Sequence, residues 1–502
     1  MVSTVDAGKV SALAVRQIPW SRAARRRAVA ASVGLGLVSL LIYASWWIQE
    51  SAKYGWWMLL LGAFLVFYVF VQIICAWVLY LSVDEPAAAQ PPAGLTVDVL
   101  VPVYDEPYEL VASTLRAVVA MRYPHETYLL DDSRSAAFAG LAAEVGAHYL
   151  TRGGNTDAKA GNVNAALKRT QGEFVTIFDV DHEPTPDFLD AALGYFADPA
   201  VGFVQTGVAF RNARETFIAR ATADQAYDIY GPTSMGMHGA GAAVVWGSHT
   251  TFRRSALAAI GGYQIGLAED LHTSACLHTV GWRSVYVPTV HAYGLVPSDL
   301  HALTKQQLKW ARGVFGILVD VFPRVVRRLT VRQSMAYLVR LTYYLIGPVF
   351  LLHAVAAAAV VARHDPALTA DFMSYMLHAL PLGAAILIVR QIANRMWNPQ
   401  AGSIGIKVWG YVVACSLWPV YTLGLACAVL HVPIPHLSTP KERVGRPRPL
   451  LAAPQVFLAG VLLTTLGVRL VSGFGFEDVP VMLCTLGAAA IQLPVVFVAL
   501  RP

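Results

Sequence analysis

Two clusters of acidic residues stand where short apolar runs end. Asp131 and Asp132 follow Tyr128-Leu129-Leu130, and Asp179-Val180-Asp181-His182 follows Phe174-Val175-Thr176-Ile177-Phe178. Alternate carboxylates on a tight turn can hold a divalent ion against a diphosphate, with His182 as a further ligand. Hard oxygen ligands suit Mg2+ or Mn2+, and such an ion neutralises the charge that builds on a departing nucleoside diphosphate. The plainer reading of the same residues is a solvated turn after a strand. A third acidic pair, Glu269-Asp270, opens a stretch to Val280 that reads as helix, where its ordinary part is to complement the positive end of the helix dipole.

The elements that must position these groups follow from the pattern around them. Val97 to Val101, the stretch ending at Leu130, and Phe174 to Phe178 are β-rich runs that alternate with helical patterns and end at polar or acidic residues. That alternation predicts βαβ units in a mostly parallel sheet, whose ligands bind beyond the carboxyl ends of the strands. The sheet belongs to a soluble insert of residues 96–310, reached through a linker rich in Pro and Ala from Asp84 to Leu95.

On either side of the insert the chain is made for lipid. Of 502 residues 56% are hydrophobic and only 14% charged, and the mean hydropathy is +0.50, which excludes an ordinary water-soluble protein. Five cysteines, Cys75, Cys276, Cys415, Cys427 and Cys484, show neither a disulfide framework nor metal-ligand spacing. The excess of 38 Lys+Arg over 32 Asp+Glu reads as membrane topology, not as a nucleic-acid partner. Arg16, Arg22, Arg25, Arg26 and Arg27 mark residues 1–27 as a basic cytoplasmic segment before an uncleaved helix, and residues 28–82 read as two crossings. After an interfacial segment, 311–335, two more crossings are expected in 336–393 and a last pair in 455–500. The apolar run from Val408 to Leu430 contains Trp418-Pro419 and precedes the basic residues Lys441, Arg443, Arg446 and Arg448. The positive-inside rule then makes 404–430 an interfacial or re-entrant helix and 431–450 a cytoplasmic loop, giving six crossings, with seven as the alternative.

Further motifs accompany the acidic clusters. Val101-Pro102-Val103-Tyr104-Asp105-Glu106, Lys159-Ala160-Gly161-Asn162-Val163-Asn164, Ala268-Glu269-Asp270 and Gln306-Gln307-Leu308-Lys309-Trp310 complete, with Asp131 and Asp179-x-Asp181, an ordered set over roughly residues 96–450. In that order they resemble the processive family 2 glycosyltransferases, above all the bacterial cellulose synthase catalytic subunits. The resemblance implies an integral membrane α-helical protein with an inserted cytoplasmic α/β catalytic domain, GT-A-like and Rossmann-type, in a cell (inner or plasma) membrane. It further implies that Tyr104, Glu106 and Asp131 hold a uridine and Lys159 and Lys309 face the diphosphate. Asp179, Asp181 and His182 would lie at Mg2+ or Mn2+ and the ribose, with Asp270 as general base. Gln306 and Trp310 would form the acceptor site, and Thr439 and Lys441 a gating loop. Trp310 also has an ordinary reading as an interfacial anchor.

The sequence departs from the family at several points. Lys309 replaces an arginine, Ala268 a threonine, and Val204-Gln205-Thr206 continues as Gly207-Val208 where the family reads Pro-Gln. His436-Leu437-Ser438-Thr439-Pro440-Lys441 keeps Thr and Lys of the gating motif but not its aromatic or valine. Within 502 residues no counterpart is expected of the C-terminal domain that binds cyclic di-GMP in cellulose synthases. The expected activity is therefore an inverting, processive transfer from a UDP-sugar, with UDP-glucose as donor and a growing cellulose-like polysaccharide as acceptor. The product would pass through the helices into the keeping of a periplasmic or cell-wall export partner. The alternatives are a β-1,3-glucan or N-acetylglucosamine polymer, transfer of one sugar to a lipid, or a nucleotide-binding transporter. Against the transporter stands the scarcity of charge in the crossings, where only Arg340 and Arg390 occur near helix ends.

Overall fold

The structure, a computed structural model, describes residues 20–52, 68, 70–87, 89–363, 372–397, 408–434 and 447–501. Its centre is an eight-stranded sheet: β1 Val97–Val103, β2 Glu126–Asp131, β3 His148–Leu150, β4 Phe174–Ile177, β5 Glu183–Pro184, β6 Val201–Phe210, β7 Thr250–Arg253 and β8 Arg283–Gly294. The spatial order is β3-β2-β1-β4-β7-β6-β8-β5. The β1–β2, β2–β3, β1–β4 and β6–β8 pairs are parallel, whereas β7 runs antiparallel to both neighbours and β5 antiparallel to β8. Val97, Val99, Val101 and Val103 of β1 pack into one core with Leu129 and Phe174, while Leu100 joins Leu130, Val175 and Ile177 in the core on the other face. Both faces are thus covered by helices, which is why these strands read as nearly unbroken apolar runs.

Register brings the acidic clusters to one edge. Val103 lies opposite Asp131, Leu100 opposite Ile177, and Ile177 opposite Thr250. The ends of β1, β2 and β4 therefore meet the start of β7. The antiparallel β7 has no counterpart in the βαβ pattern, because a short strand between a loop and a helix leaves no periodic signal.

Among the described residues five helices are long and apolar enough to cross a membrane: Arg22–Glu50, Tyr343–Ala362, Met376–Trp397, Pro449–Ser472 and Val479–Leu500. Leu35, Leu41, Val355, Leu380, Phe457 and Leu493 on them are exposed, the pattern of a surface that faces hydrocarbon and not water. Most of the second apolar run, from Trp56, lies outside the described residues; its end forms the helix Ala76–Leu81. Helix breaks do not fall at the expected segment boundaries. Residue 310 lies inside the helix Leu300–Gly316, and the helix Val331–Leu341 ends before the long apolar helix begins at Tyr343.

The run from Val408 to Leu430 is two helices, Trp409–Ser416 and Trp418–Val429, bent by 54°. Pro419 sits in the first turn of the second, where its missing N–H costs nothing. Both limbs rest on the half of the molecule that carries the sheet. Trp409 packs edge-on against Phe217, the Tyr421 hydroxyl donates to Gln307 at 3.1 Å, and Gly424 lies against Ala311 and Arg312. Beyond the second limb, His431 is 3.0 Å from Asp320, and Arg312 donates to the Val432 carbonyl. Arg25 similarly gathers three segments, bonding Glu85 of the linker and the Met396 carbonyl while its guanidinium stacks 4.7 Å from the Trp397 ring.

Candidate active site

At the first strand ends the carboxylates serve the protein itself. Asp131 is fully buried and accepts from the Ser133 and Ser135 backbone N–H groups, the Ser133 hydroxyl and the Tyr149 hydroxyl, at 2.6 to 2.7 Å. Burial and the bond to Asp131 push the Tyr149 phenol up to about 12, so it remains a donor. Asp132 makes a two-pronged pair with Arg152 at 2.7 Å, and Arg152 also donates to the Thr156 and Ala158 carbonyls. This arginine shapes the turn in which Asp157 and Ala158 take positive φ just before Lys159. Tyr104 is 52% exposed at the end of β1, and its N–H donates to Glu106. An exposed ring above a rigid turn is a suitable face for a flat base.

Lys159 reaches from its helix to Asp179 at 2.5 Å and to the Gly247 carbonyl. Burial opposes its charge, but Asp179, Glu269 and Asp270 outweigh that and hold its pKa above the ordinary lysine value. Among the described residues, Asp179, Asp181 and His182 form a group whose ligand atoms lie within 4.8 Å of one another. His182 Nδ1 is buried without a hydrogen bond. Two carboxylates and an available imidazole nitrogen fit a divalent ion. The His182 ring has room only because position 294 is glycine: a Cβ there would stand 2.5 Å from Nε2.

Asp270 sits in the first turn of the helix Glu269–Thr279, and its Oδ1 accepts from the Leu271 N–H at 2.7 Å. Its Oδ2 lies 3.4 Å from where a Cβ on Gly247 would be, and the Lys159 nitrogen lies 3.9 Å from the same point. Gly247 is therefore the seam at which the expected base, the lysine and the metal group meet. Burial first, and the neighbouring Glu269 second, push the Asp270 carboxyl up to about 7, against the pull of the Leu271 N–H, Lys159 and Arg340. It keeps a partly exposed edge despite its depth, as a base facing a cleft would. The helix Leu300–Gly316 carries Gln306, Lys309 and Trp310, and its Gly313 presses on Leu267 and Ala268, where a Cβ would approach to 2.9 Å. Trp310 is 40% exposed, Lys309 half-buried, and Gln306 Oε1 is buried without a hydrogen bond.

Several residues of this site give no sign in the sequence. Trp246 precedes the seam; its N–H donates to Gln205 Oε1, and the Arg340 guanidinium stacks 5.0 Å from its ring. Nε and Nη1 of Arg340 are buried without hydrogen bonds. Tyr230 has ring centroids 5.6 Å from Trp246 and 5.9 Å from His249. His249 takes a positive φ of 46°, is wholly buried, and is driven well below the ordinary histidine value by burial and then by His182. The signal that could have found this wall is Gly247 after the apolar run from Ala242, where buried chain gives way to the half-buried Trp246 and Gly247. Thr439 and Lys441 lie outside the described residues.

Residues 92–313, the whole sheet with its acidic edge and the helix of Trp310, match the family described as glycosyltransferase like family 2. This segment is a family 2 glycosyltransferase domain. The chain carrying it is 30% identical over 477 residues to cellulose synthase 1 of Komagataeibacter xylinus, covering 84% of this chain and 30% of that one. It is 31% identical over 357 residues to the UDP-forming cellulose synthase catalytic subunit of Pseudomonas fluorescens strain SBW25, covering 67% of this chain and 47% of the relative. It thus spans less than half the length of these curated relatives. The fold is also that of a mannosyltransferase from Pyrobaculum calidifontis, solved in complex with GDP-Man and Mn2+, at a TM-score of 0.51 and 19% identity, covering 80% of this chain and 100% of that one.

Proposed function

We propose that this chain is a membrane-embedded glycosyltransferase that moves a sugar from a UDP-sugar to an acceptor hydroxyl with inversion, repeating the step to build a β-linked polysaccharide. The observation that carries the reading is the meeting of Asp270, Lys159 and the Asp179-Asp181-His182 group around Gly247. A divalent ion, Mg2+ or Mn2+, held by those three residues would offset the charge on the departing UDP. The uracil would lie on Tyr104 above the turn braced by Asp131, with Glu106 beside it. Lys159 would donate to the diphosphate, exchanging its bond to Asp179, and Lys309 would add a second positive charge from the acceptor side. Asp270 would accept the proton of the attacking hydroxyl; a carboxyl raised toward neutrality is a stronger base than an ordinary aspartate and is still ionised at pH 8. Trp310, with Gln306 one turn before it, would pack on the terminal sugar and direct it to Asp270.

The names of the relatives favour UDP-glucose and a β-1,4-glucan, and the archaeal enzyme of the same fold is in line with a nucleotide sugar and a divalent ion. Incubating the purified chain with radiolabelled UDP-sugars one at a time, then digesting the product with linkage-specific glucanases, tests donor and linkage together. A product resistant to β-1,4-glucanase would move the assignment to a β-1,3-glucan or N-acetylglucosamine polymer, and a single labelled sugar on lipid would remove processivity. Binding of UDP-sugar without any transfer would favour the transporter.

The polymer would leave through the apolar helices, with the catalytic domain on the cytoplasmic side. Contacts of both limbs of the bent pair with the catalytic half support an interfacial or re-entrant course, and so six crossings. The loop carrying Thr439 and Lys441 would then act from the cytoplasmic side and close over UDP. Cysteines introduced as Ser438→Cys and Gln171→Cys, in a cysteine-free background, should react with impermeant thiol reagents only after the cytoplasmic face is opened. Labelling of the first from outside intact cells would mean seven crossings and discard the gate. The expectation that only Arg340 and Arg390 bring charge to the crossings is corrected by Arg469 within Pro449–Ser472, but its charge is paired, with Asp478 at 2.5 Å, as that of Arg390 is with Asp228, which speaks against an ion pathway.

A further inference from the structure

Four segments distant in sequence converge on one carboxylate. Asp228 ends the helix Phe217–Asp228 and accepts from the Asn394 amide at 2.7 Å and from the Tyr411 hydroxyl at 3.4 Å. Arg390 Nε stands 3.5 Å away, and the Tyr80 hydroxyl lies within the field of the same group. Arg390 and Asn394 lie on the long apolar helix Phe372–Trp397, Tyr411 on the first limb of the bent pair, and Tyr80 on the helix Ala76–Leu81. The Asp228 and Arg390 side chains are only 13% and 9% exposed. Taking both charges out of water is costly, and an apolar junction of the same shape would hold these helices together at least as well. Adhesion alone therefore does not account for the junction.

The backbone just beyond Asp228 supplies a reason. It runs through Ile229–Thr233 with Gly231 out of helical geometry at φ −96°, ψ −116°, next to Pro232. Between Asp228 and that bend stands Tyr230, its ring flanked by Trp246 and His249, its carbonyl accepting from the Tyr286 hydroxyl. Burial and the fields of Asp270, Asp179 and Asp181 raise its phenol, which keeps it a proton donor at working pH. Tyr230 thus packs on Trp246, which adjoins Gly247, and on His249, whose ring lies 5.2 Å from that of His182, and it stands two residues from a carboxylate held by a long apolar helix.

We infer that Asp228, held by Asn394 and Arg390, is a positioning residue that sets Tyr230 against the reacting sugar and so keeps the transfer site in register with the membrane helices. The inference rests on the transferase reading. It predicts coupling between residues on different elements, which a merely structural junction would not give.

The test is a double-mutant cycle on the full chain in lipid nanodiscs with Mn2+, measuring UDP release from UDP-glucose or whichever UDP-sugar the donor panel selects. Asn394→Ala should lower kcat roughly tenfold with KM for the donor within about twofold, and Tyr230→Phe should lower it by a similar factor. In the Tyr230→Phe background, Asn394→Ala should cost less than about twofold. Tyr411→Phe, which removes one bond to the same carboxylate but keeps the ring that the Arg390 guanidinium covers at 3.4 Å, should show the same loss of effect and serves if the Asn394 variant does not fold. Equal fold-losses in both backgrounds, or a loss confined to KM, would overturn the coupling while leaving the transferase intact. A wild-type chain that releases UDP from no donor would overturn the transferase reading and this inference with it.

Discussion

Around the ends of β1 and β2, the carboxylates are taken up by the domain itself: four hydrogen bonds on Asp131, a two-pronged arginine on Asp132, and Arg152 fastening the turn before Lys159. Across the cleft, buried polar atoms without hydrogen bonds accumulate: His182 Nδ1, His249 Nε2, Gln306 Oε1, and Nε and Nη1 of Arg340. Native proteins rarely leave such atoms bare without cause. The proposed nucleotide end is a finished surface, built within one sheet from neighbouring turns. The proposed transfer end is an assembly of the Asp179-Asp181-His182 group, the Asp270 helix, the Trp310 helix and Arg340 from the helix that precedes the second long apolar one. A base and a ribose need a rigid shape, whereas an ion, a diphosphate and a sugar chain bring their own donors and acceptors to groups left available for them.

That contrast can be broken at defined points. The largest loss should come from the metal group: Asp181→Ala, or EDTA with the wild type, should reduce transfer by about a thousandfold or more, since several kcal/mol of charge stabilisation disappear. Full turnover in EDTA would remove the ion from the account. Next, Lys309→Ala should cost on the order of thirtyfold, mostly in kcat, and Lys309→Arg should stay within about threefold because the charge is kept. An unaffected alanine variant would mean that the transfer end does not extend to this helix.

A smaller effect separates the two ends by pH. The carboxyl of Asp270 is raised, so its ionised form is lost as pH falls through about 7. Transfer should then fall roughly fivefold between pH 7 and pH 6, as the ionised fraction of the base drops from about a half to about a tenth, with affinity for the UDP-sugar changing less. A flat rate over that range would show that Asp270 is ionised throughout and that its burial does not tune it.

The two ends also differed in how far they could be read from the sequence. Asp131, Asp179 and Asp181 were legible because each closes an apolar strand, and parallel strands deliver their ends to one edge. The bend at Trp418-Pro419 was legible for a local reason, a proline that fits only the first turn of a new helix. Trp246, Tyr230, His249 and Arg340 were not, since an aromatic in an apolar run and an arginine before a membrane helix have commoner uses, and only tertiary packing turns them toward the cleft. Asp270 is raised first by burial created by elements far along the chain, which no local pattern contains, and then by Glu269 beside it.

The claim that the two ends form one transferase site, joined at Asp270, is tested most directly by Asp270→Asn. The amide keeps the shape and the bond from the Leu271 N–H but cannot take up the acceptor proton. Titration calorimetry with UDP and Mn2+ should give the wild-type affinity, while transfer from the preferred UDP-sugar falls by about a hundred- to ten-thousandfold. Transfer at or near the wild-type rate would contradict the account.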